Sequence, residues 1–397
     1  GTANTYIGIF IIMFSVISSG MVAVMTQNIG AGRPGVAYQA RQLGLAFNAV
    51  LGVIMSLFLS LGAGTILSGV GVADALMQPA KTYLQIVGGF CILNALIPIC
   101  SSYLRAFGFS KEPLYASIIG NVINFCLNAF FLFVLHKGVA GVATATVISR
   151  IINLVIVVLL GAVLVKAKQH PERESNRAVM GQIIRIGLPS ACETAIYNVS
   201  MTLVIRFLNQ MDAQGLNVTA RSYTMQITNF SYCVGAALAQ ANAIMTGWHI
   251  GAKEYDACDR GTKKAAVIGV IVAVILETVF TLCSGWIMQL FSKDPQMVSL
   301  VGKLLAIDIV LEIGRVTNLV YGQALKTSGD AVFPVVMGAC FMILCSVGGT
   351  YLFGIRLGLL AVGAYIGMTG DECVRAVGMY LRWKSGKWKE KGLVKSR

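Results

Sequence analysis

Asp308, Glu312 and Arg315 stand in an otherwise apolar run of this 397-residue chain. At roughly 100° per residue, they occupy a stripe about 60° wide on one face of a helix. Glu312 and Arg315 can pair at i, i+3, leaving Asp308 one turn away. That pattern suits ion handling, which needs a carboxylate whose proton or cation can come and go beside a fixed counter-charge. The competing reading is a structural ion pair that only holds helices together. Two further acids fall within apolar runs. Glu193 lies one turn beyond Pro189 and suits either cation binding or a helix N-terminus, where the dipole favours negative charge. Glu277 sits in mid-run with no partner at helical spacing, fitting ion handling or a salt bridge equally. Asn121, Asn124 and Asn128 form a second one-face stripe. Their amide oxygens can ligate sodium, orient a cation or bridge helices at about 0.6 kcal/mol per contact. Asp371 and Arg375, at i, i+4, read as a structural pair.

The surroundings explain why these residues stand out. Acids at membrane depth cost about 2.5–3.5 kcal/mol each on insertion scales. Charged residues make up 12% of the chain, against roughly a quarter in soluble domains, and the mean hydropathy is +0.75. Apolar runs span 5–28, 43–67, 83–104, 113–135, 139–165, 184–208, 217–245, 265–290, 299–325, 332–355 and 360–382. Each is about long enough to cross a bilayer. Spanning backbone must satisfy its own hydrogen bonds, so the expected fold is an all-α integral membrane protein of eleven transmembrane helices. Pro113, Pro189 and Pro334 are expected in first turns, where a missing N–H costs little.

The net charge of +14 does not point to nucleic acid, because the basic residues gather in alternate loops. The segments 33–42, 105–113, 166–183, 251–264 and the tail fall on one side if every run crosses once. The positive-inside rule makes that side, and the C-terminus, cytoplasmic. Ten cysteines stand singly and three histidines far apart, which disfavours a metal centre or disulfide framework. No nucleophile–base pair or phosphate loop suggests an enzyme. Fifteen of the seventeen acids follow residue 166; Asp74 and Glu112 read as loop residues.

The polar stretch 166–183 divides the chain into an N-terminal lobe at 1–165 and a C-terminal lobe at 184–382, with a basic tail at 383–397. The lobes echo each other. Met25-Thr26-Gln27-Asn28-Ile29-Gly30-Ala31-Gly32 is matched by Met245-Thr246-Gly247-Trp248-His249-Ile250-Gly251-Ala252, and Tyr103-Leu104-Arg105-Ala106 more weakly by Tyr321-Gly322-Gln323-Ala324. Such parallel repeats are a transporter device, the halves rocking about a shared site.

On Ile29-Gly30-Ala31-Gly32-Arg33, Arg105-Ala106-Phe107-Gly108, Asn124 through Asn128, Gly138-Val139-Ala140-Gly141, Ile186-Gly187-Leu188-Pro189 and Asp371-Glu372-Cys373-Val374-Arg375, the chain resembles bacterial members of the multidrug and toxic compound extrusion (MATE) family. The resemblance implies two six-helix lobes, so the first helix is expected to be the one this sequence lacks. It implies export of organic, often cationic compounds or drugs in exchange for H+ or Na+, with no cofactor beyond the coupling ion. A monomer in the inner (plasma) membrane, with lipid as its other partner, is expected. Family members place Asn and Asp where Asn124 and Asn128 stand, with a Thr in the next helix, here Thr146, and an acid in the first helix. This makes Asn124 and Asn128 a candidate Na+ site, with the departure that Asn128 cannot ionise. Flippases for lipid-linked saccharides belong to the same superfamily and supply the alternative function.

Overall fold

The computed structural model describes residues 2–69, 74–166, 170–212 and 215–394, which among themselves contain helices and no strand. Every apolar run becomes a helix or a close pair of helices. In chain order they are α1 (Thr2–Gly30), α2 (Pro34–Leu61), α3 (Ala63–Gly69), α4 (Asp74–Tyr83), α5 (Ile92–Ala106), α6 (Lys111–Ala129) and α7 (Gly138–Leu164). There follow α8 (Asn176–Met211), α9 (Leu216–Gly251), α10 (Tyr255–Leu282), α11 (Ser284–Met288), α12 (Pro295–Thr327), α13 (Val332–Phe341) and α14 (Leu360–Lys384). α6 runs on through π-helical turns to Val134, and α13 is continued by π-helical stretches at Met342–Val347 and Thr350–Arg356.

Five spans qualify as transmembrane on length and hydropathy alone: α2, α6 with its extension, α7, α10 and α13 with its extension. A sixth qualifies if Leu76–Gly88 and Ile92–Ala106, bent by 42°, count as one. The helices that fall short include α9, α12 and α14, whose middles hold buried charged or polar side chains. Polar content that dilutes the membrane signal is what builds the site.

Three expectations shift. α8 starts at Asn176, inside the stretch read as linker, so Pro189 lies in its interior rather than its first turn. α10 likewise starts ten residues ahead of its apolar run. Hydropathy marks where lipid begins, whereas a helix can extend past it on polar turns. Asp74 and Glu112 are helical too, each in a first turn, where the N-terminal dipole favours a carboxylate.

The chain forms two compact units, Gly1–Ala191 and Cys192–Arg397, dividing within α8. The repeat between them keeps one register. α2 and α10 are offset by 221 at both ends (255 − 34 and 282 − 61), as are the last residues of α1 and α9 and of α5 and α12. The helix ends repeat as well. Arg33 N–H donates to Asn28 O and Glu254 N–H to His249 O, both at 2.8 Å, with Gly32 and Lys253 in the left-handed region at φ 71° and 61°. Phe109 N–H reaches Leu104 O at 3.0 Å and Asp330 N–H reaches Leu325 O at 2.9 Å, closing over Gly108 and Gly329 at φ 90° and 99°. These are six-to-one helix C-caps built on a left-handed residue.

In the first unit, Gly187 of the Ile-Gly-Leu-Pro motif lets α8 touch α1, since a Cβ there would fall 1.7 Å from Val16 O. In the second, a buried core of Val204, Leu208, Val301, Leu304, Leu305 and Leu311 joins α8, α12 and their neighbours. The basic tail is partly built into this body. Trp383 and Trp388 stack at 4.1 Å, and Trp383 Nε1 donates to Asp259 at 2.9 Å. Asp330 takes Arg382 at 2.7 Å and Lys391 at 2.9 Å.

Candidate functional site

α12 is launched by Asp294, whose side chain accepts from Gln296 N–H at 3.0 Å, with Pro295 pre-set for the first helical position. Leu304, Leu305 and Leu311 are fully buried, which fixes the rotation of the helix. The same rotation buries Asp308 and Glu312 at 2% and 0% exposure. Glu312 pairs with Arg315, as the i, i+3 spacing suggested.

Gly314 brings the partner helix in. A Cβ there would come 2.8 Å from Cys373 N and 2.9 Å from Glu372 C, so only glycine admits the α14 backbone at this depth. α14 delivers Asp371, Glu372 and Arg375. Arg375 grips Asp371 with a fork, Nε–Oδ1 at 2.8 Å and Nη2–Oδ2 at 3.0 Å. Its Nη2 also lies 2.9 Å from Glu372 Oε1, and Arg315 Nε stands 3.6 Å from that oxygen. Asn318 donates to Glu372 Oε2 at 3.0 Å, and Ser346 of the π-helical stretch donates to Asp371 at 3.0 Å. Arg315 is therefore held by one carboxylate from α12 and one from α14, and Arg375 by two from α14.

Other oxygens in this cluster are left over. Asp308 Oδ2 and Glu312 Oε2 are buried without a hydrogen-bond partner among the described residues. Both oxygens of Glu277 are equally bare. Ser231 is a polar neighbour of Glu277, as Asp308 and Glu312 are charged ones, and Glu277 forms no ion pair among the described residues.

A cavity of about 270 Å³ opens on Asp308, Arg315, Asp371 and Glu372, with Arg221 and Tyr365 among its other walls. A second, of about 240 Å³, is lined by Glu193, Lys326 and Arg375 among others, and shares Tyr197, Tyr232, Arg315 and Glu372 with the first. Glu193 pairs with Lys326 at 2.5 Å.

The structure thus gathers Asp308, Glu312, Arg315 and Glu277 into one cluster and puts Glu193 on the adjoining cavity. Asn124, Asn128 and Thr146 belong to the first unit. Asn128 Nδ2 donates to Asn124 Oδ1 at 3.0 Å, and Asn124 Nδ2 donates to Ser149 Oγ at 3.3 Å. Thr146 instead donates to its own helix at Val142 O, 2.9 Å away. Asn128 Oδ1 is buried without a partner among the described residues. Among the described residues no group of three or more His, Cys, Asp or Glu could hold a metal ion.

Sequence reasoning passes over Glu372, Arg221, Ser346 and Ser149. Glu372 has a visible signal, because Asp371, Glu372 and Arg375 put three charges into one apolar run. Arg221 is visible as a lone cation early in the 217–245 run. The two serines have none.

Comparison with known proteins gives a consistent picture. The MatE family model matches residues 1–130 and 189–352. The "Uncharacterized transporter YisQ" of Bacillus subtilis (strain 168) is 32% identical over 99% of this chain and 88% of its own length. The "Probable multidrug resistance protein NorM" of Thermotoga maritima is 21% identical over 99% of this chain and 86% of its own. In fold, the chain matches a crystal structure of MATE in the bent conformation with a TM-score of 0.88 at 18% identity, over 98% of this chain and 86% of that one. It matches the eukaryotic MATE transporter AtDTX14 with a TM-score of 0.84 at 18% identity, over 98% and 88%.

Proposed function

The chain belongs to the MatE family of multidrug efflux transporters, multi-pass membrane proteins, and on that premise we propose that it is a secondary antiporter. It exports organic compounds bearing a cationic group in exchange for H+ or Na+ by alternating access. The basic loops support a plasma-membrane orientation with the C-terminus in the cytoplasm.

Charge balance carries this reading. The cluster holds five carboxyls (Glu277, Asp308, Glu312, Asp371, Glu372) against three guanidiniums (Arg221, Arg315, Arg375), a surplus of two by simple difference. Arg315 and Arg375 engage Glu312, Asp371 and Glu372. Asp308 and Glu277 remain, and charge of that sign at membrane depth calls for a compensating cation.

A proton or sodium ion supplies that charge in one half of the cycle, and the cationic group of the substrate supplies it in the other. Asp308 is the meeting point, because it lines the cavity. Glu277 and Glu312 sit behind it and hold the ion. Since both ligands draw on the same negative charge, each lowers the affinity for the other by the same factor. Glu193, already neutralised by Lys326, shapes the adjoining cavity.

The test is efflux of an organic cation from proteoliposomes under an imposed proton or sodium gradient. Asp308→Asn with Glu312→Gln is expected to abolish gradient-driven efflux while folded protein remains in the membrane. Undiminished efflux from that variant rejects the assignment.

A further inference from the structure

Arg221 is the guanidinium of the site that no carboxylate among the described residues holds. It lies in the second turn of α9 at 6% exposure and lines the same cavity as Asp308. Its Nε is buried without a hydrogen-bond partner among the described residues. Its Nη2 contacts Met201 Sδ at 3.7 Å, a weak acceptor. Among the described residues it forms no ion pair, whereas Arg315 and Arg375 each have two carboxylate partners. An arginine inside a membrane is costly and is ordinarily kept beside a counter-charge. Its planar fork is shaped for a carboxylate or similar oxyanion.

The cavity therefore presents two bare groups of opposite sign, the Arg221 guanidinium and the Asp308 carboxyl. They do not pair with each other, and buried Tyr365 lies within electrostatic reach of both. Met201, Met225, Leu311 and Met368 supply an adaptable apolar wall. We propose that this cavity selects zwitterions, compounds with a cationic group for Asp308 and a carboxylate, separated by a ring or several bonds, for Arg221. The proposal deepens the exporter reading and rests on it, making Arg221 the residue that sets substrate class.

The test uses the full chain in lipid nanodiscs and three probes that share one aromatic body. They are 4-(2-aminoethyl)benzoate, its methyl ester and 2-phenylethylamine, with binding measured by calorimetry. The zwitterion is expected to bind about tenfold more tightly than its ester, the worth of one charge-assisted pair. Arg221→Gln is expected to erase that ratio without weakening the ester, and Arg221→Lys to retain part of it. An ester that binds as tightly as the zwitterion overturns the proposal and leaves the exporter reading standing. So does a preference that survives Arg221→Gln. Failure of all three probes to bind overturns both. The wild-type comparison needs no variant, so a poorly folding substitution cannot blunt it.

Discussion

The two units share a register, and what differs between them is where charge stands. With an offset of 221, Asp308, Glu312 and Arg315 of α12 correspond to Val87, Cys91 and Asn94 in the first unit, and Glu277 corresponds to Ser56. The correspondence is spatial as well. Ser56 Oγ accepts from Ile92 N–H at 3.1 Å, beside Cys91, just as Glu277 lies within reach of Glu312. By an offset of 222 from the starts of α7 and α14 (360 − 138), Asp371, Glu372 and Arg375 stand where the first unit has Ser149, Arg150 and Asn153. The same scaffold thus carries neutral side chains at most of these positions in one unit and carboxylates in the other. A scaffold that tolerates Val, Cys and Ser does not need acids for folding. Their presence in the second unit supports the proposal that they serve an ion.

Substitutions that trade residues between the units, or remove them, test this contrast. The largest effect is expected from giving the second unit the residues of the first at its two acids outside ion pairs, as Glu277→Ser and Asp308→Val together. Gradient-driven efflux should fall to the level of protein-free liposomes while the thermal midpoint holds or rises, because bare buried acids are removed. A collapsed midpoint would mean the acids are structural. Next is Glu372→Gln. It takes one partner from both Arg315 and Arg375, and breaking a buried pair costs about 3–5 kcal/mol, measurable by unfolding in detergent.

Smaller again is Asp330→Asn at the corner after α12, where the first unit has Phe109. Burial opposes ionisation of Asp330, but the hydrogen bonds and charges of Arg382 and Lys391 outweigh it and hold the carboxyl below its usual value. A carboxyl lowered on folding contributes stability that is complete above its unfolded pKa of about 3.9. That contribution is lost as pH falls through the lower folded value. The gap between wild type and Asp330→Asn should therefore be widest at neutral pH, below the roughly 3–5 kcal/mol of a fully buried pair because Lys391 is partly exposed, and close below about pH 4. The smallest effect is expected from Asn124→Ala, about 0.6 kcal/mol, the worth of a typical interhelical hydrogen bond. Coupling should survive it.

Much of this architecture is legible in the residues alone. Period and length give the helices, because backbone in lipid must bond within its own segment, and the Asp308–Glu312–Arg315 stripe follows from helical spacing. Helix ends are less legible, since α8 and α10 begin on polar turns that hydropathy reads as loop. Long-range partners are the least legible. That Gly314 admits Glu372 to Arg315 depends on how close two backbones approach, and one helix's pattern does not record its neighbour's distance. Thr146 shows the same limit. It stands one helix on from Asn124, but its hydroxyl turns to Val142 O and Ser149 makes the contact.

If the second unit's acids exchange a coupling ion for substrate, as proposed, binding of substrate should displace that ion. Purified protein in weakly buffered medium, with or without sodium, would be titrated with an organic cation while released protons or sodium are counted. Release is expected from wild type and from Asn124→Ala with Asn128→Ala, and none from Asp308→Asn with Glu312→Gln. Release that persists in the acid variant, or disappears in the asparagine variant, would contradict the proposal.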